Sequence, residues 1–332
     1  MQRTQDVKQR LEAYLKARFA QREELSVVEI EWMSAGFSYE TYLFTMTWKE
    51  PQGTVSENLV IRVEPEFGCI PPYDIRPQYE VLKRIHGTGI PVPKVHWLET
   101  DKEVLGNPFF VMEKIEGGEL LWDAYLNNPQ YQAQLTGDYV SILARLHGVD
   151  WQALDLSFLG VPENDRHYAE KDIKKWEWVV EQNQYSPQPV MAELFSWLRR
   201  NIPPAERTTL CHSDFHARNF LARDGRVVAT LDWEMVGIGD PVSDIGYACM
   251  FITFLGFWTE ADFIRSYEER TGVKIDQESL FFWKVLAYVK LAAIALAGLR
   301  TSIESKTLDI RQIMDANFST VLQGQAAQML GF

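Results

Sequence analysis

The stretch that decides the fold reads Leu210-Cys-His-Ser-Asp-Phe-His-Ala-Arg-Asn219, and Ala229-Thr-Leu-Asp-Trp-Glu234 follows it. Each segment contains an apolar, β-like run, and a short polar turn separates them, which predicts two neighbouring strands. The strand ends deliver Asp214, Asn219 and Asp232. Two carboxylates and one amide supply the oxygen ligands that hold Mg²⁺ against a phosphate chain. The pattern therefore predicts a metal-assisted phosphate site at this corner.

Length and composition limit the remaining possibilities. A chain of 332 residues with 46% hydrophobic and 24% charged residues predicts a globular protein with more than one core, organised as two lobes. The net charge of −13 argues against a nucleic-acid partner and against a polybasic membrane contact. It favours a neutral or cationic substrate only slightly, because an acidic surface also serves solubility.

The three cysteines are far apart and form no CxxC pair, which argues against a disulfide framework and a zinc knuckle; they are Cys69, Cys211 and Cys249. Residues 1–10 are polar and lack the apolar core of a secretory signal. We therefore expect reduced thiols and a cytoplasmic location. The most apolar window, 280–299, contains Lys284 and Lys290, so a buried helix is a better interpretation than a membrane span.

Hydrophobic periodicity changes character along the chain. Up to Gly118 it predicts one amphipathic helix at 6–24, a second helix at 78–86, and strands at 27–33, 41–48, 59–63, 90–97 and 109–113. After Gly118 long helical patterns dominate, at 139–147, 168–182, 189–201, 259–270, 277–299 and 307–330. The fold class is therefore α+β: a small antiparallel β lobe with an inserted helix at 1–113, and a larger, mainly helical lobe at 114–332, with the site expected between them.

Three motifs together resemble the aminoglycoside phosphotransferase-like family, whose members share the bilobal protein-kinase-like fold and phosphorylate small molecules. They are His212-Ser-Asp-Phe-His-Ala-Arg-Asn219, Leu231-Asp-Trp-Glu234 and Gly239-Asp-Pro-Val-Ser-Asp244. The first has the Asp-x-x-x-x-Asn spacing of a kinase catalytic loop. The resemblance spans roughly residues 30–250, and the sequences of the motifs are similar to those of the broad phosphotransferase branch of the family.

The resemblance implies a role for each matching residue. Asp214 falls on the catalytic base, which accepts the proton of the substrate hydroxyl, and Asn219 and Asp232 fall on the magnesium ligands. His216 stands where protein kinases carry a lysine that meets the transferring phosphate, and it is interpreted either as a hydrogen-bond donor to that phosphate or as a residue that stabilises the loop. The cofactor-binding positions implied in the first lobe are the nucleotide loop Ser34, Gly36 and Ser38, the phosphate-gripping Arg62, and the adenine-binding connection Met112, Glu113 and Ile115.

Two positions depart from the kinase pattern. Arg62 stands on the third strand where kinases usually carry a lysine, a replacement that the resemblance indicates for several branches of the family. The helix glutamate that normally pairs with the strand cation is not evident, because the register of Val81 and Leu82 turns Gln78 inward and Glu80 outward. If Gln78 supports Arg62, a neutral hydrogen bond replaces the ion pair.

Other residues of the motifs are interpreted as structural. We expect His212 to orient the loop through backbone hydrogen bonds. Asp240 and Asp244 are interpreted as anchors, Asp244 either capping the following helix or accepting the N–H groups of the catalytic loop.

The leading interpretation is an ATP- (or GTP-) and Mg²⁺-dependent kinase that acts on a hydroxyl of a small molecule. A nucleotide-binding pseudokinase is the alternative. A third hypothesis is a metallohydrolase with His212, Asp214 and His216 as ligands on alternate positions of a strand. The sequence identifies neither the phosphate acceptor, nor the preference for ATP or GTP, nor the oligomeric state.

Overall fold

The computed structural model describes residues 2–33, 39–66, 68, 70, 72–256, 258–304 and 310–332. Within it the chain forms two compact units. The first comprises Met1–Lys83 and Pro93–Glu116, and the second comprises Arg84–Val92 and Gly117–Phe332. Cys211 and Cys249 are free, buried thiols, whereas Cys69 lies outside the described residues.

The first unit is built on a five-stranded antiparallel sheet in the order β1-β2-β3-β5-β4. Its strands are β1 Glu23–Met33, β2 Glu40–Glu50, β3 Gly53–Val63, β4 Val95–Glu99 and β5 Phe109–Glu113. Helix α1, Gln2–Arg18, precedes the sheet, α2, Ile75–Ile85, follows β3, and the short α3, Lys102–Leu105, joins β4 to β5. The predicted antiparallel β lobe with an inserted helix is confirmed.

Alternating side chains of β2 explain how this sheet is covered. Tyr42, Phe44 and Met46 are all buried on one face, as expected for a strand whose side chains alternate between two faces. They belong to one apolar cluster with Leu11 and Leu15 of α1, both fully buried. The helix therefore packs its apolar stripe on this face of the sheet.

Several predicted boundaries in this unit were wrong. Helix α1 ends at Arg18 and not at residue 24, and β3 begins at Gly53 and not at residue 59. Proline explains a third difference. β4 begins at Val95 and not at residue 90, because Pro91 and Pro93 have no N–H to donate to a strand. Helix α2 begins at Ile75 and not at residue 78, with Pro77 in its first turn, where an N–H is not needed.

The second unit is mainly helical. Its helices are α4 Leu121–Asn127, α5 Gln132–Leu146, α6 His167–Asn183, α7 Pro189–Arg200, α8 Val242–Leu255, α9 Glu260–Thr271, α10 Gln277–Glu304 and α11 Ile310–Met329. The long helices predicted after Gly118 are confirmed, although α5 begins seven residues earlier than the periodicity indicated and the short α4 was missed.

Helix α10 runs through the middle of this unit. It contacts α6, α7, α8 and α11, and residues from Leu280 to Ala297 supply many of the buried apolar side chains. By length and composition Gln277–Ile303 could cross a membrane, but 67% of its most apolar window is buried inside the fold. This degree of burial is that of a core helix, as the sequence predicted.

Two small antiparallel sheets carry the motif residues. β7, Thr209–Cys211, pairs with β10, Gly237–Gly239, and β8, Phe220–Arg223, lies between β6, Glu119–Leu120, and β9, Arg226–Thr230. All three residues of β7 are buried. The loop between β7 and β8 therefore begins at a buried strand and ends at the buried Phe220, the first residue of β8.

Candidate active site

The antiparallel pair β8 and β9 assembles the predicted metal-holding corner. Phe220 pairs with Thr230, and one residue outside this pair the Leu231 N–H donates to the carbonyl of Asn219 at 2.7 Å. Because Asp232 directly follows Leu231, the backbone brings the end of β9 beside the start of β8. Asn219 and Asp232, which are far apart in sequence, thus lie at the same end of one hairpin.

Asp214 and Asn219 form a direct pair across the catalytic loop. Asp214 is 8% exposed and Asn219 is 9% exposed. The Asn219 amide nitrogen donates to the Asp214 carboxylate Oδ2 at 2.6 Å and to the Asp214 carbonyl at 3.0 Å. Both partners can only accept, so the amide nitrogen must face Asp214 and the amide oxygen must lie on the other side. That oxygen is the atom which a metal ion would bind.

Asp232 occupies a strained position. Its backbone φ is +61°, and it precedes a 3₁₀ turn, Trp233–Met235, without capping it through its side chain. A left-handed non-glycine residue costs about 1–3 kcal/mol and is typical of functional sites. The neutral amide oxygen of Asn219 with this carboxylate is a donor set that suits Mg²⁺, so the residues present fit the ion.

The environment of Asp214 favours its ionised form. Burial acts to raise the pKa of this carboxyl, but His216, Lys290 and His212 act in the opposite direction and outweigh it. The net pKa lies well below the usual range of an aspartic acid. Asp214 is consequently a carboxylate at neutral pH, the state in which it can accept a proton.

His216 borders Asp214, as predicted, in an ordered orientation. Its Nδ1 accepts a hydrogen bond from the Arg218 N–H at 3.2 Å, so the ring proton of the neutral form resides on Nε2. Nε2 is 3.5 Å from the Asp214 Oδ2, and the ring stacks on Phe251 with centroids 4.3 Å apart. His216 thus presents a donor to the carboxylate at a distance longer than an ordinary hydrogen bond.

His212 has the structural role that the sequence predicted. Its Nδ1 accepts from the Asp214 N–H at 3.2 Å, and its Nε2 donates to the Leu231 carbonyl at 2.9 Å. Burial lowers the pKa of His212, which keeps the ring neutral. With both nitrogens bonded to backbone groups, His212 cannot ligate a metal, and the metallohydrolase hypothesis with His212, Asp214 and His216 is wrong.

Among the described residues, another group with metal-ligating atoms close together is His147, Cys211 and Asp244. Both His147 nitrogens are already engaged, one with the Tyr267 hydroxyl at 2.8 Å and the other with Asp244 at 3.1 Å. This buried group is therefore a hydrogen-bond network that supports the loop.

Asp244 anchors the residues before Asp214. Its Oδ2 accepts from the His212 N–H at 2.8 Å and its Oδ1 from the Ser213 N–H at 2.6 Å. Burial acts to raise its pKa, but hydrogen bonds and charges, led by the bond from His147, lower it overall. Asp244 is the third residue of α8 and not its cap, so the second of the two predicted roles, that of a loop anchor, is confirmed.

Ser213, immediately before Asp214, has a left-handed backbone with φ +65°. Its three polar groups are all bonded: the N–H to Asp244, the hydroxyl to the Tyr168 hydroxyl at 2.9 Å, and the carbonyl to the Lys290 ammonium. Helices α8, α6 and α10 each provide one of these partners. Sequence reasoning missed Tyr168 and Lys290 as site residues. The available signal was the presence of Lys290 in an apolar helix, because a buried charge requires a partner.

Asp240 is a second anchor, as predicted, with a different electrostatic balance. It accepts from the Val242 N–H at 2.9 Å and from the Trp283 indole N–H at 2.9 Å. Burial nevertheless raises its pKa to about 6, despite these two bonds. Ionisation of Asp240 therefore lowers the stability of the folded state relative to the unfolded state.

In the first unit, Arg62 lies on β3, and its guanidinium carbon is 5.0 Å from the centre of the Tyr39 ring. Gln78 is 2% exposed, which confirms the predicted inward register, whereas Glu80 is partly exposed. Neither polar atom of the Gln78 amide has a hydrogen-bond partner in the part of the chain that the structure describes. The expected neutral hydrogen bond from Gln78 to Arg62 is therefore not formed.

The residues predicted to contact adenine follow the end of β5. Met112 is buried within the strand and Glu113 is its last residue, while Ile115 lies beyond it. The Glu113 carboxylate accepts from the Lys94 N–H at 2.8 Å, and its own N–H donates to the Lys94 carbonyl at 2.9 Å. This reciprocal pair fixes the backbone where the adenine contacts are predicted. The nucleotide loop with Ser34, Gly36 and Ser38 lies outside the described residues.

Residues 30–282 match the profile of the phosphotransferase enzyme family. The chain belongs to this family. The match includes every motif described above, from the predicted nucleotide loop to α8. Membership supports a kinase-type, small-molecule phosphotransferase, and it confirms the family resemblance that the three motifs indicated.

Solved structures agree on the fold of this phosphotransferase. A protein of Ralstonia eutropha assigned provisionally to the aminoglycoside phosphotransferases superposes with a TM-score of 0.74 at 25% identity, covering 97% of both chains. A thermostable mutant of aminoglycoside phosphotransferase APH(4)-Ia, in a ternary complex with AMP-PNP and hygromycin B, gives a TM-score of 0.63 at 15% identity, covering 96% of this chain and 98% of that one. The predicted protein-kinase-like fold is confirmed.

A curated relative is a much longer protein. Acyl-CoA dehydrogenase family member 10 of Mus musculus is 29% identical in an alignment of 259 residues, which covers 71% of this phosphotransferase and 24% of the relative. The chain thus spans about a quarter of that relative's length.

Proposed function

We propose that this chain is an ATP- and Mg²⁺-dependent kinase that transfers the γ-phosphoryl group to a hydroxyl of a small molecule. The observation that carries the proposal is the buried Asp214–Asn219 pair at 2.6 Å, which sets a carboxylate base and an amide oxygen at the same end of the hairpin as Asp232. Phosphoryl transfer depends on such positioning and on charge neutralisation more than on covalent chemistry by the protein.

In the proposed reaction Asp214 orients the acceptor hydroxyl and takes its proton. The hydroxyl oxygen forms a bond to the γ-phosphorus as the bond to the β-phosphate bridging oxygen breaks, which yields the phosphorylated acceptor, ADP and one proton. A carboxylate with a low pKa suits this role when proton transfer comes late, because the hydroxyl becomes acidic only as the new bond forms.

Asn219 and Asp232 would hold the magnesium ion, which neutralises the phosphate charge when bound. We assign His216 a catalytic role next to Asp214. Its fixed ring, stacked on Phe251, keeps an N–H donor near the carboxylate. A donor at this position can hydrogen-bond a phosphate oxygen or hold the base in place.

The nucleotide is assigned to residues of the first unit. Arg62 would contact the α- and β-phosphates, and the Glu113 carbonyl and Ile115 N–H would hydrogen-bond the base, beside Met112. The loop of Ser34, Gly36 and Ser38 would cover the phosphates. We assign ATP as the nucleotide that these residues bind, and GTP is the alternative.

The experiment that tests the proposal is ADP release from Mg-ATP against a panel of hydroxylated metabolites, with products identified by mass spectrometry. Amino sugars, amino alcohols, sugars and hydroxy acids should all be included. An acceptor-dependent gain of one phosphoryl group is expected. Absence of transfer to every class, with Mg-ATP binding intact, would contradict the proposal.

The second candidate is a pseudokinase that binds nucleotide without transferring phosphate. The observation in its favour is Gln78, which stands at the expected place of the supporting glutamate and makes no hydrogen bond among the described residues. Turnover by the wild type separates the two candidates, because a kinase transfers phosphate with Gln78 in place and a pseudokinase does not. If the wild type is inactive because the charge is missing, Gln78→Glu should gain acceptor-dependent ADP release.

A further inference from the structure

The peptide group that joins Ser213 to Asp214 is held at both of its ends. Its carbonyl accepts from the Lys290 ammonium, and its N–H donates to the His212 Nδ1 at 3.2 Å. Because a peptide group is planar, fixing the oxygen and the hydrogen fixes its orientation. This plane fixes the Asp214 Cα atom, from which the carboxylate projects.

Lys290 is an unusual lysine. It is 5% exposed, on the apolar helix α10. Besides the Ser213 carbonyl, its ammonium faces two aromatic rings, with centroid distances of 4.6 Å to Tyr247 and 5.4 Å to Trp176. It forms no ion pair with a carboxylate of the described chain. Burial of an ammonium is costly without partners, and cation–π contacts offset only part of that cost.

A second lysine of the same helix, Lys284, has a carboxylate partner, unlike Lys290 among the residues described. Lys284, nearly two turns earlier, is also partly buried but donates to both carboxylate oxygens of Glu260, at 2.8 and 2.6 Å. Lys284 therefore joins α10 to α9 as an ordinary ion pair. Lys290 instead directs its charge at a backbone carbonyl of the catalytic loop.

The need for this contact follows from the conformation of Ser213. A serine at φ +65° keeps its left-handed backbone only where its surroundings impose it. Asp244 restrains the N–H and Tyr168 the hydroxyl, but neither restrains the peptide group on the Asp214 side. Lys290 is the described residue that restrains the carbonyl.

We propose that Lys290 is a positioning residue for phosphoryl transfer: by holding the Ser213 carbonyl it sets the peptide plane that aims Asp214 at the acceptor hydroxyl. The role assigned to Asp214 rests on the proposed function, whereas the restraint on the loop does not. The two claims can therefore be tested separately.

The test compares Lys290→Met, Lys290→Arg and Tyr168→Phe with the matched control Lys284→Met. The acceptor found in the panel above is used for turnover, and calorimetry measures Mg-ATP affinity. Loss of one charge-assisted hydrogen bond predicts a fall in kcat of about 10- to 100-fold for Lys290→Met, with the nucleotide Kd changed less than about threefold. Lys290→Arg, which keeps the charge and donors, should recover part of kcat. Lys284→Met should retain kcat within about twofold.

Hydrogen–deuterium exchange provides a measurement that needs no acceptor. Lys290→Met should speed exchange of the peptide covering 212–219, and Lys284→Met should leave that peptide unchanged. If Lys290→Met does not fold, Lys290→Arg, which replaces the compact ammonium at the Ser213 carbonyl, should show both effects to a smaller extent. Tyr168→Phe removes the hydroxyl that Ser213 bonds but leaves its carbonyl held, so it should change 212–219 less than Lys290→Met does. Unchanged exchange at 212–219, or a kcat equal to that of the Lys284 control, would overturn the proposal. No acceptor turnover in the wild type, together with faster exchange in Lys290→Met, would contradict the proposed function and leave the restraint established.

Discussion

Buried polar groups occupy predicted site positions in two regions, the catalytic loop at residues 212–219 and helix α2 around Gln78. The two regions differ in whether those groups have hydrogen-bond partners. In the loop His212, Ser213 and Asp214 have bonded partners at the backbone and the side chain. At α2 the Gln78 amide is buried with neither polar atom bonded among the described residues. An unmade buried hydrogen bond costs about 1–3 kcal/mol, whereas a made one contributes about 1 kcal/mol. Hydrogen bonds within the described chain thus hold the polar groups of the loop in place, whereas the buried amide of Gln78 is not held in this way.

Removing the main anchor of the loop should have the largest effect. In Asp244→Ala the His212 and Ser213 N–H groups and His147 lose their shared acceptor, so the left-handed Ser213 loses a restraint. We expect the free energy of unfolding to fall by about 3–5 kcal/mol, with loss of activity. Urea unfolding measures the change. Glu193→Ala, which breaks a surface pair with Arg200, is the control and should cost less than about 1 kcal/mol. Equal effects of the two substitutions would contradict the anchoring role.

Asp240 should have an intermediate effect that depends on pH. Its pKa is raised from 3.8 to about 6, so the folded state binds the proton more tightly than the unfolded state. The stability that this group contributes is full below pH 4 and is lost as pH rises through 6, by about 3 kcal/mol in total.

Comparison with Asp240→Asn isolates this contribution, because the amide cannot ionise. The difference in unfolding free energy between Asp240→Asn and the wild type should shift in favour of the variant between pH 4 and pH 7. Urea unfolding at a series of pH values measures it. A difference that is constant over this range would show that burial does not raise the pKa of Asp240.

The smallest effect is expected at Gln78 and has the opposite sign. Gln78→Leu removes an amide that makes no hydrogen bond, so the variant should be as stable as the wild type or more stable by about 1 kcal/mol. Gln323→Leu is the matched control, because this buried glutamine donates to Gln188 at 3.1 Å and to Ser319 at 3.2 Å. Thermal unfolding should rank the Gln323 variant below the Gln78 variant. The reverse order would mean that Gln78 has a partner that stabilises the fold.

Sequence reasoning succeeded where local pattern determines structure. The alternation in β2, the four apolar residues of β5 and the inward register of Gln78 follow from periodicity, and the three motifs together indicated the family. It also named acceptance of the loop N–H groups as one of two roles for Asp244, and the structure selects that one.

What the sequence missed depends on contacts between distant segments. Tyr168 and Lys290 meet Ser213 across 45 and 77 residues, and no spacing rule connects them. The metallohydrolase alternative failed for a similar reason. Alternate positions suggested that His212 and His216 share a face, but each ring uses a nitrogen to bond the backbone two residues ahead.

The central claim is that Asp214 is the base of a phosphoryl transfer, and Asp214→Asn tests it most directly. The amide keeps the size of the side chain but cannot take the hydroxyl proton. Asp138→Asn is the control, since Asp138 is a carboxylate of the same unit that pairs with Arg226 at 2.8 Å, away from the catalytic loop. Acceptor-dependent ADP release should fall by at least about 100-fold in Asp214→Asn, with Mg-ATP affinity kept, and remain near the wild-type rate in Asp138→Asn. Unchanged transfer by Asp214→Asn would contradict the account.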